Sequence, residues 1–283
     1  MEEILLQAEN LCYSYEPGSQ ALKGINLTVR RGEKIAVLGS NGAGKSTCFL
    51  NLNGVYRPES GRILYRGKEI GKGDLNELRK NVGIVFQDAD NQIIASTVFA
   101  EVSFGPMNLK LSREEVKRRV ETALDHMNLR ALKDRPPHYL SGGEKKRVSI
   151  ADIIAMESEV IIFDEPAASL DPVNVEMLEA VLDKMTGMGR TLLISTHDVD
   201  FAYRFADRAV IFAGGRIIGD GPVKEVFEDE QVLKQANLKK PVLMKVYDSL
   251  VRHRILEEGE PCPKDAGELE VLLCGTKKLT ERP

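Results

Sequence analysis

Residues 35–47 read Ile35-Ala36-Val37-Leu38-Gly39-Ser40-Asn41-Gly42-Ala43-Gly44-Lys45-Ser46-Thr47. The apolar run at its start fits a strand buried on both faces. It feeds directly into the pattern G-x-x-x-x-G-K-[ST], with a helix expected behind. That strand-before, helix-after context turns a short pattern into a phosphate cradle. The glycines open backbone conformations closed to other residues, so successive N–H groups can turn inward onto phosphate oxygens. The following helix adds the partial positive charge of its N-terminus. Lys45 then offers a point charge to β- and γ-phosphates, and Ser46 a hydroxyl to Mg²⁺. A nucleoside triphosphate site is implied.

A second apolar run, Val160-Ile161-Ile162-Phe163, ends in Asp164 and Glu165. In a parallel sheet both carboxylates project at the carboxyl edge, where ligands of such folds bind. Asp164 suits the Mg²⁺ shell, since that ion keeps several waters and takes one or two carboxylates. Glu165 is placed to orient the water that attacks the γ-phosphate. Further strands are read at Ile25 to Val29, Ile63 to Tyr65, Val82 to Phe86, Leu192 to Ser195 and Ala209 to Phe212. Their alternation with helical stretches predicts an α/β fold with a mostly parallel core sheet.

The interval from Ser112 to Leu132 is different. Ser112 and Glu115 form a capping-box pattern. Val116, Val120, Ala123, Leu124 and Met127 recur at helical spacing opposite a charged face. We read a helical insertion, ended by Asp134-Arg135-Pro136-Pro137. Past Glu228 the pattern weakens into amphipathic fragments broken by Pro241, Gly259, Pro261 and Pro263, a small C-terminal appendage.

Composition narrows the class. The 283 residues carry 39 Lys+Arg against 43 Asp+Glu, a net charge of -4 that argues against a nucleic-acid binder. No apolar run is long enough to cross a bilayer, and the acidic start Met1-Glu2-Glu3-Ile4 lacks a secretory pattern. An intracellular protein is expected. Cys12, Cys48, Cys262 and Cys274 are scattered, as unpaired thiols would be.

Leu140-Ser141-Gly142-Gly143-Glu144 discriminates among phosphate-cradle proteins. Ser141 with Glu144 is a capping box for the helix carrying Val148, Ile150 and Ile154. A serine and two glycines at a helix start also make an anion site. With this stretch in place, residues from about Leu6 to Phe227 resemble the ATP-binding cassette family.

The resemblance implies a P-loop ATPase with an N-terminal antiparallel β subdomain and an inserted helical subdomain at about 88–158. The ATPase domain would occupy 1–230, and the appendage, a candidate dimerisation region, 231–283. It implies that Ser141, Gly142 and Gly143 contact the γ-phosphate held by another subunit, so two cassettes, copies or paralogues, share their sites. Tyr15 matches the aromatic that stacks on adenine, with Tyr13 the fallback. Gln87 matches the glutamine that senses Mg²⁺ and the membrane partner. Ser169-Leu170-Asp171 matches the loop linking the two sites, and His197 the histidine on the γ-phosphate. The family often has glutamine where this chain has Glu144.

Phe86 to Ile94, with Gln92 as a second glutamine, and Phe104-Gly105-Pro106 closing the segment resemble the cobalt-importer and energy-coupling-factor branch. That branch implies transmembrane importer subunits docked here, no nucleic-acid partner, and a peripheral position at the cytoplasmic face of the cell membrane. Cobalt is the first cargo to expect, then nickel or a vitamin. Two classes compete: a nucleotide-binding regulator without turnover, which the intact acidic pair disfavours, and a soluble cassette ATPase acting on ribosomes or DNA. Those usually have paired cassettes or a long coiled-coil insertion, whereas one phosphate cradle is present here.

Overall fold

The apolar runs that bracket the charged motifs become neighbouring strands of one sheet. The computed structural model describes residues 3–87, 92–168, 170–257 and 259–280. Its strands are β1 (Ile4–Ser14), β2 (Gln20–Arg30), β3 (Lys34–Leu38), β4 (Ser60–Tyr65), β5 (Lys68–Glu69), β6 (Val82–Val85), β7 (Val160–Phe163), β8 (Thr191–Ser195), β9 (Arg208–Ala213) and β10 (Arg216–Pro222). Its helices begin with α1 (Lys45–Leu52), α2 (Leu75–Asn81), α3 (Val98–Asn108), α4 (Arg113–His126), α5 (Gly142–Met156) and α6 (Pro172–Gly187). They continue with α7 (Val199–Phe205), α8 (Val223–Glu228), α9 (Glu230–Gln235), α10 (Val242–Arg252) and α11 (Ala266–Thr280).

Six strands pair in the order β10-β9-β3-β8-β7-β6, parallel throughout except for the β10–β9 edge. The other four form an antiparallel sheet, β2-β1-β4-β5. Side-chain alternation along the central strands feeds two cores. Ala36, Leu38, Ile161 and Phe163 point to the helical side, while Ile35, Val37, Val160 and Ile162 join the core beneath the antiparallel sheet. Burial on both faces explains why these strands read as continuous apolar runs. Their carboxyl ends converge on one edge, and that edge carries the site.

Several expectations need correction. The strand reading omitted β1, β5 and β10 and ran one residue too far at Phe86, which lies beyond β6. The helix expected over Ser112 to Leu132 stops at His126. It ends because Asn128 turns left-handed (φ 52°), a helix-stop conformation that asparagine tolerates without glycine. A 3₁₀ turn at Arg130–Leu132 then carries the helical stretch up to the break at Asp134 to Pro137.

Ser112 does cap α4, its Oγ accepting the Glu115 N–H at 3.2 Å. The reciprocal half of the box is missing, because the Glu115 carboxylate is taken by Arg118 and Arg119 at 2.6 to 2.8 Å. Those guanidinium groups hold its pKa down to about 2. Phe104-Gly105-Pro106 lies near the end of α3, which packs with α4 and α5.

The C-terminal fragments are laid against the core. Leu233, Ala236 and Met244 are buried in the helical-side cluster. The Val242 N–H donates to Asp200 at 2.6 Å, and the Tyr203 hydroxyl to the Cys262 carbonyl at 3.3 Å. All four cysteines are free thiols.

Candidate nucleotide site

The cradle is built as its spacing requires. β3 ends at Leu38, the chain turns through Gly39 to Gly44, and α1 starts at Lys45. Two glycines are obligatory for packing as well as conformation. Gly39 has φ 142°, and a Cβ there would stand 2.3 Å from the Phe212 carbonyl oxygen. Gly44 has φ 108°, and its Cβ would meet the Ala21 carbonyl oxygen at 2.9 Å. Lys45 is buried, and its Nζ donates to the Gly39 carbonyl at 2.7 Å and the Ser40 carbonyl at 3.3 Å. The loop thus holds its own cation in place.

Tyr15, the 41–47 loop, Gln87, Asp164 and Glu165 line a single cavity of about 370 Å³. Residues scattered over most of the sequence meet there. The Tyr15 ring is half exposed, and its hydroxyl hydrogen-bonds Thr47 Oγ1 at 2.9 Å. Tyr13, the fallback, does not line the cavity. Its ring face is stacked on Tyr56 at 4.9 Å, and Tyr15 meets both rings edge-on. The sequence reading missed Tyr56, which follows the cradle helix closely and completes this aromatic platform.

The two carboxylates hold different posts. Asp164 is buried; its N–H donates to the Val85 carbonyl at 2.9 Å and its Oδ1 accepts from Ser195 Oγ at 2.6 Å. Glu165 is left-handed (φ 48°), unusual for a residue with a long side chain. Its Oε1 lies 3.9 Å from Lys45 Nζ, and its Oε2 lies 2.9 Å from His197 Nδ1. His197 is otherwise exposed, so Glu165 stands between the cradle lysine and a solvent-facing imidazole. Ser195 was also overlooked. Its only sequence signal is its place at the end of the strand leading to His197.

Ser46, Gln87 and Asp164 offer a hydroxyl, an amide and a carboxylate to the same cavity. This is a set of hard oxygen donors, few in number, that fits Mg²⁺ bound together with phosphates and water.

Ser141, Gly142, Gly143 and Asp171 do not line the cavity. Ser141 caps α5 through a complete box: its Oγ accepts the Glu144 N–H at 3.3 Å, and Glu144 accepts the Ser141 N–H at 2.7 Å. That backbone bond holds the Glu144 carboxyl below its ordinary range. Asp171 caps α6, taking the Asn174 N–H at 2.9 Å and the Asn174 side-chain amide at 2.7 Å. A Cβ on Gly143 would sit 3.0 Å from that amide, so the two motifs adjoin through Asn174. They form a second constellation with donors of its own. Ser169 lies outside the described residues, as do residues 88–91 of the segment after Gln87. Gln92 is placed with its Oε1 buried and, among the described residues, without a partner.

Residues 22–168 match the ABC transporter family. The chain belongs to that family of ATPases. It is 46% identical to the energy-coupling factor transporter ATP-binding protein EcfA2 of Methanospirillum hungatei, over 88% of this chain and 63% of that one. It is 47% identical to the energy-coupling factor transporter ATP-binding protein EcfA of Methanocaldococcus jannaschii, over 84% and 86%. The chain therefore spans just under two thirds of the length of the first relative. Its fold is similar to the solved cbiO1 of Clostridium perfringens, part of the ABC transporter complex cbiONQ. The TM-score is 0.74 at 43% identity, covering 88% of this chain and 99% of that one. Among the described residues of the cassette no helix is long and apolar enough to cross a membrane.

Proposed function

We propose that this cassette is the ATP-hydrolysing subunit of an importer for cobalt or a related micronutrient, nickel or a vitamin, working through separate transmembrane subunits. One observation carries the catalytic part of the reading. The cradle, Gln87, Asp164 and Glu165 share a cavity, while Ser141–Gly143 and Asp171 are left off it. A second cassette, a copy or a paralogue, completes each site by bringing its own Ser141-Gly142-Gly143 amides onto the γ-phosphate.

Within that closed pair Tyr15 stacks on the base, and the 39–47 loop grips the phosphates. Glu165 orients the attacking water, and His197, held by Glu165, faces the γ-phosphate. Ser46, Gln87 and Asp164 would hold Mg²⁺, which neutralises charge on the phosphate oxygens. Hydrolysis removes the charge that keeps the pair closed, and the resulting rigid-body opening is the stroke.

The import assignment is supported by the energy-coupling-factor names of the relatives and by the cbiO1 likeness. The exposed apolar residues Ile94, Phe104 and Met107 beside the Gln87 segment fit a docked membrane subunit at the cytoplasmic face.

Two measurements test the reading. Glu165→Gln should slow phosphate release at least about a hundredfold while ATP-driven dimers persist in size-exclusion chromatography. Near-normal turnover rejects the role of Glu165. Affinity purification from solubilised membranes should bring down a hydrophobic subunit; ribosomal proteins or DNA in its place would overturn the transport assignment.

A further inference from the structure

Ser195 closes β8 and is fully buried. Parallel pairing sets Phe163 of β7 against Ile194 of β8, and the next residue on each strand is Asp164 and Ser195. The serine hydroxyl makes two bonds across this register. It donates to Asp164 Oδ1 at 2.6 Å and accepts the Glu165 N–H at 2.8 Å. Buried serines ordinarily satisfy themselves on nearby backbone carbonyls, as Ser149 does on Lys145 and Ser103 on Phe99. Ser195 instead spends its proton on one acidic residue of the cavity wall and a lone pair on the next.

We infer that Ser195 is a positioning residue for ATP hydrolysis, tying the metal-facing carboxylate and the water-orienting carboxylate to one hydroxyl. This rests on the roles assigned above to Asp164 and Glu165. A hydroxyl has a single proton, so a bond to Asp164 Oδ1 fixes that carboxylate's rotation and leaves Oδ2 as the oxygen open to a further donor or a metal. The accepted N–H holds the left-handed turn at Glu165, a conformation that persists only where its surroundings impose it. On the other side the Asp164 N–H is held by the Val85 carbonyl. The turn bearing both acids is thus strapped to β6 and β8 at once. Groups that orient a metal's ligands commonly change metal affinity or activity about 10–100-fold when removed.

The test compares full-length wild type, Ser195→Ala, Ser195→Thr and Glu165→Gln. A fluorescent ATP analogue titrated in chelator reads nucleotide affinity without metal. Electron paramagnetic resonance of Mn²⁺ reads metal bound to the protein–nucleotide complex, independently of turnover. Phosphate release gives kcat and KM. Ser195→Ala should keep metal-free nucleotide affinity within about twofold, yet need about tenfold or more Mn²⁺ for half-saturation. Its kcat should fall at least about tenfold at nearly constant KM, and Ser195→Thr should recover both values. Wild-type Mn²⁺ half-saturation in Ser195→Ala overturns the inference, as does a metal-free affinity that falls in proportion to kcat. If the alanine variant does not fold, Ser195→Cys, of similar volume and a weak donor, is read in the same way. Wild-type hydrolysis by Glu165→Gln would instead sink the assignment of the acids themselves, so the two failures are distinguishable.

Discussion

Asp152 gives the sharpest test of the energetics. It lies on α5, partly buried, with Oδ1 sealed from solvent. Burial first, and then repulsion from Glu101, push its carboxyl from 3.8 up to about 7, while the Gly105 N–H works the other way. The folded value lies above the unfolded one. The stability it contributes is therefore present in full below about pH 4 and lost as pH rises through about 7. At 1.36 kcal/mol per pH unit the whole displacement is worth about 4 kcal/mol as an upper bound, and water penetration lowers it to about 2–4 kcal/mol.

Asp152→Asn keeps the shape and removes the charge. Urea unfolding of wild type and variant, at about pH 5 and about pH 8, isolates the effect because other titrating groups cancel in the difference. The stability difference, variant minus wild type, should grow by about 1–3 kcal/mol between those two conditions. Parallel curves would refute the placement of Asp152 in a low-dielectric, acidic setting.

Two further outcomes follow from the site. Tyr15→Ala should weaken nucleotide binding about tenfold by removing a stacking face. Tyr15→Phe, which loses only the Thr47 hydrogen bond, should cost less than about fivefold, and equal losses in a fluorescent-nucleotide titration would discredit stacking. Glu144→Ala should destabilise the fold by about 1 kcal/mol through the broken box at Ser141. Because the Glu144 value is depressed from 4.5, its contribution is present above that pH and lost as pH falls through the lowered value. Unfolding curves of the variant and wild type should accordingly converge in acid.

What could be read from the sequence was whatever sits contiguously. Residues 35–47 and 160–165 declare strand, turn and chemistry in one stretch, since the ligand groups follow directly on a buried run. Ser195 could not be read in this way, because its role arises from the register between strands whose bonded residues are some thirty positions apart. β1 escaped because register shifts between Ile4 and Leu6 and between Ala8 and Leu11 break its alternation. β10 escaped because Gly219, Gly221 and Pro222 resemble a turn. Glu115 misled because two arginines, three and four residues on, compete for the carboxylate that a capping box would use.

Lys146 sits buried one turn into α5, and its ammonium grips the carbonyls of Phe86 and Gln87 at 2.8 and 3.0 Å. The helix that opens at Ser141 and the corner at Gln87 are thereby hitched to the same peg. A tug on one is delivered to the other through a few ångströms of charge-assisted bonding rather than through the bulk of the molecule, so in the pair proposed above traction at the corner would reach the other cassette's triphosphate with little slack.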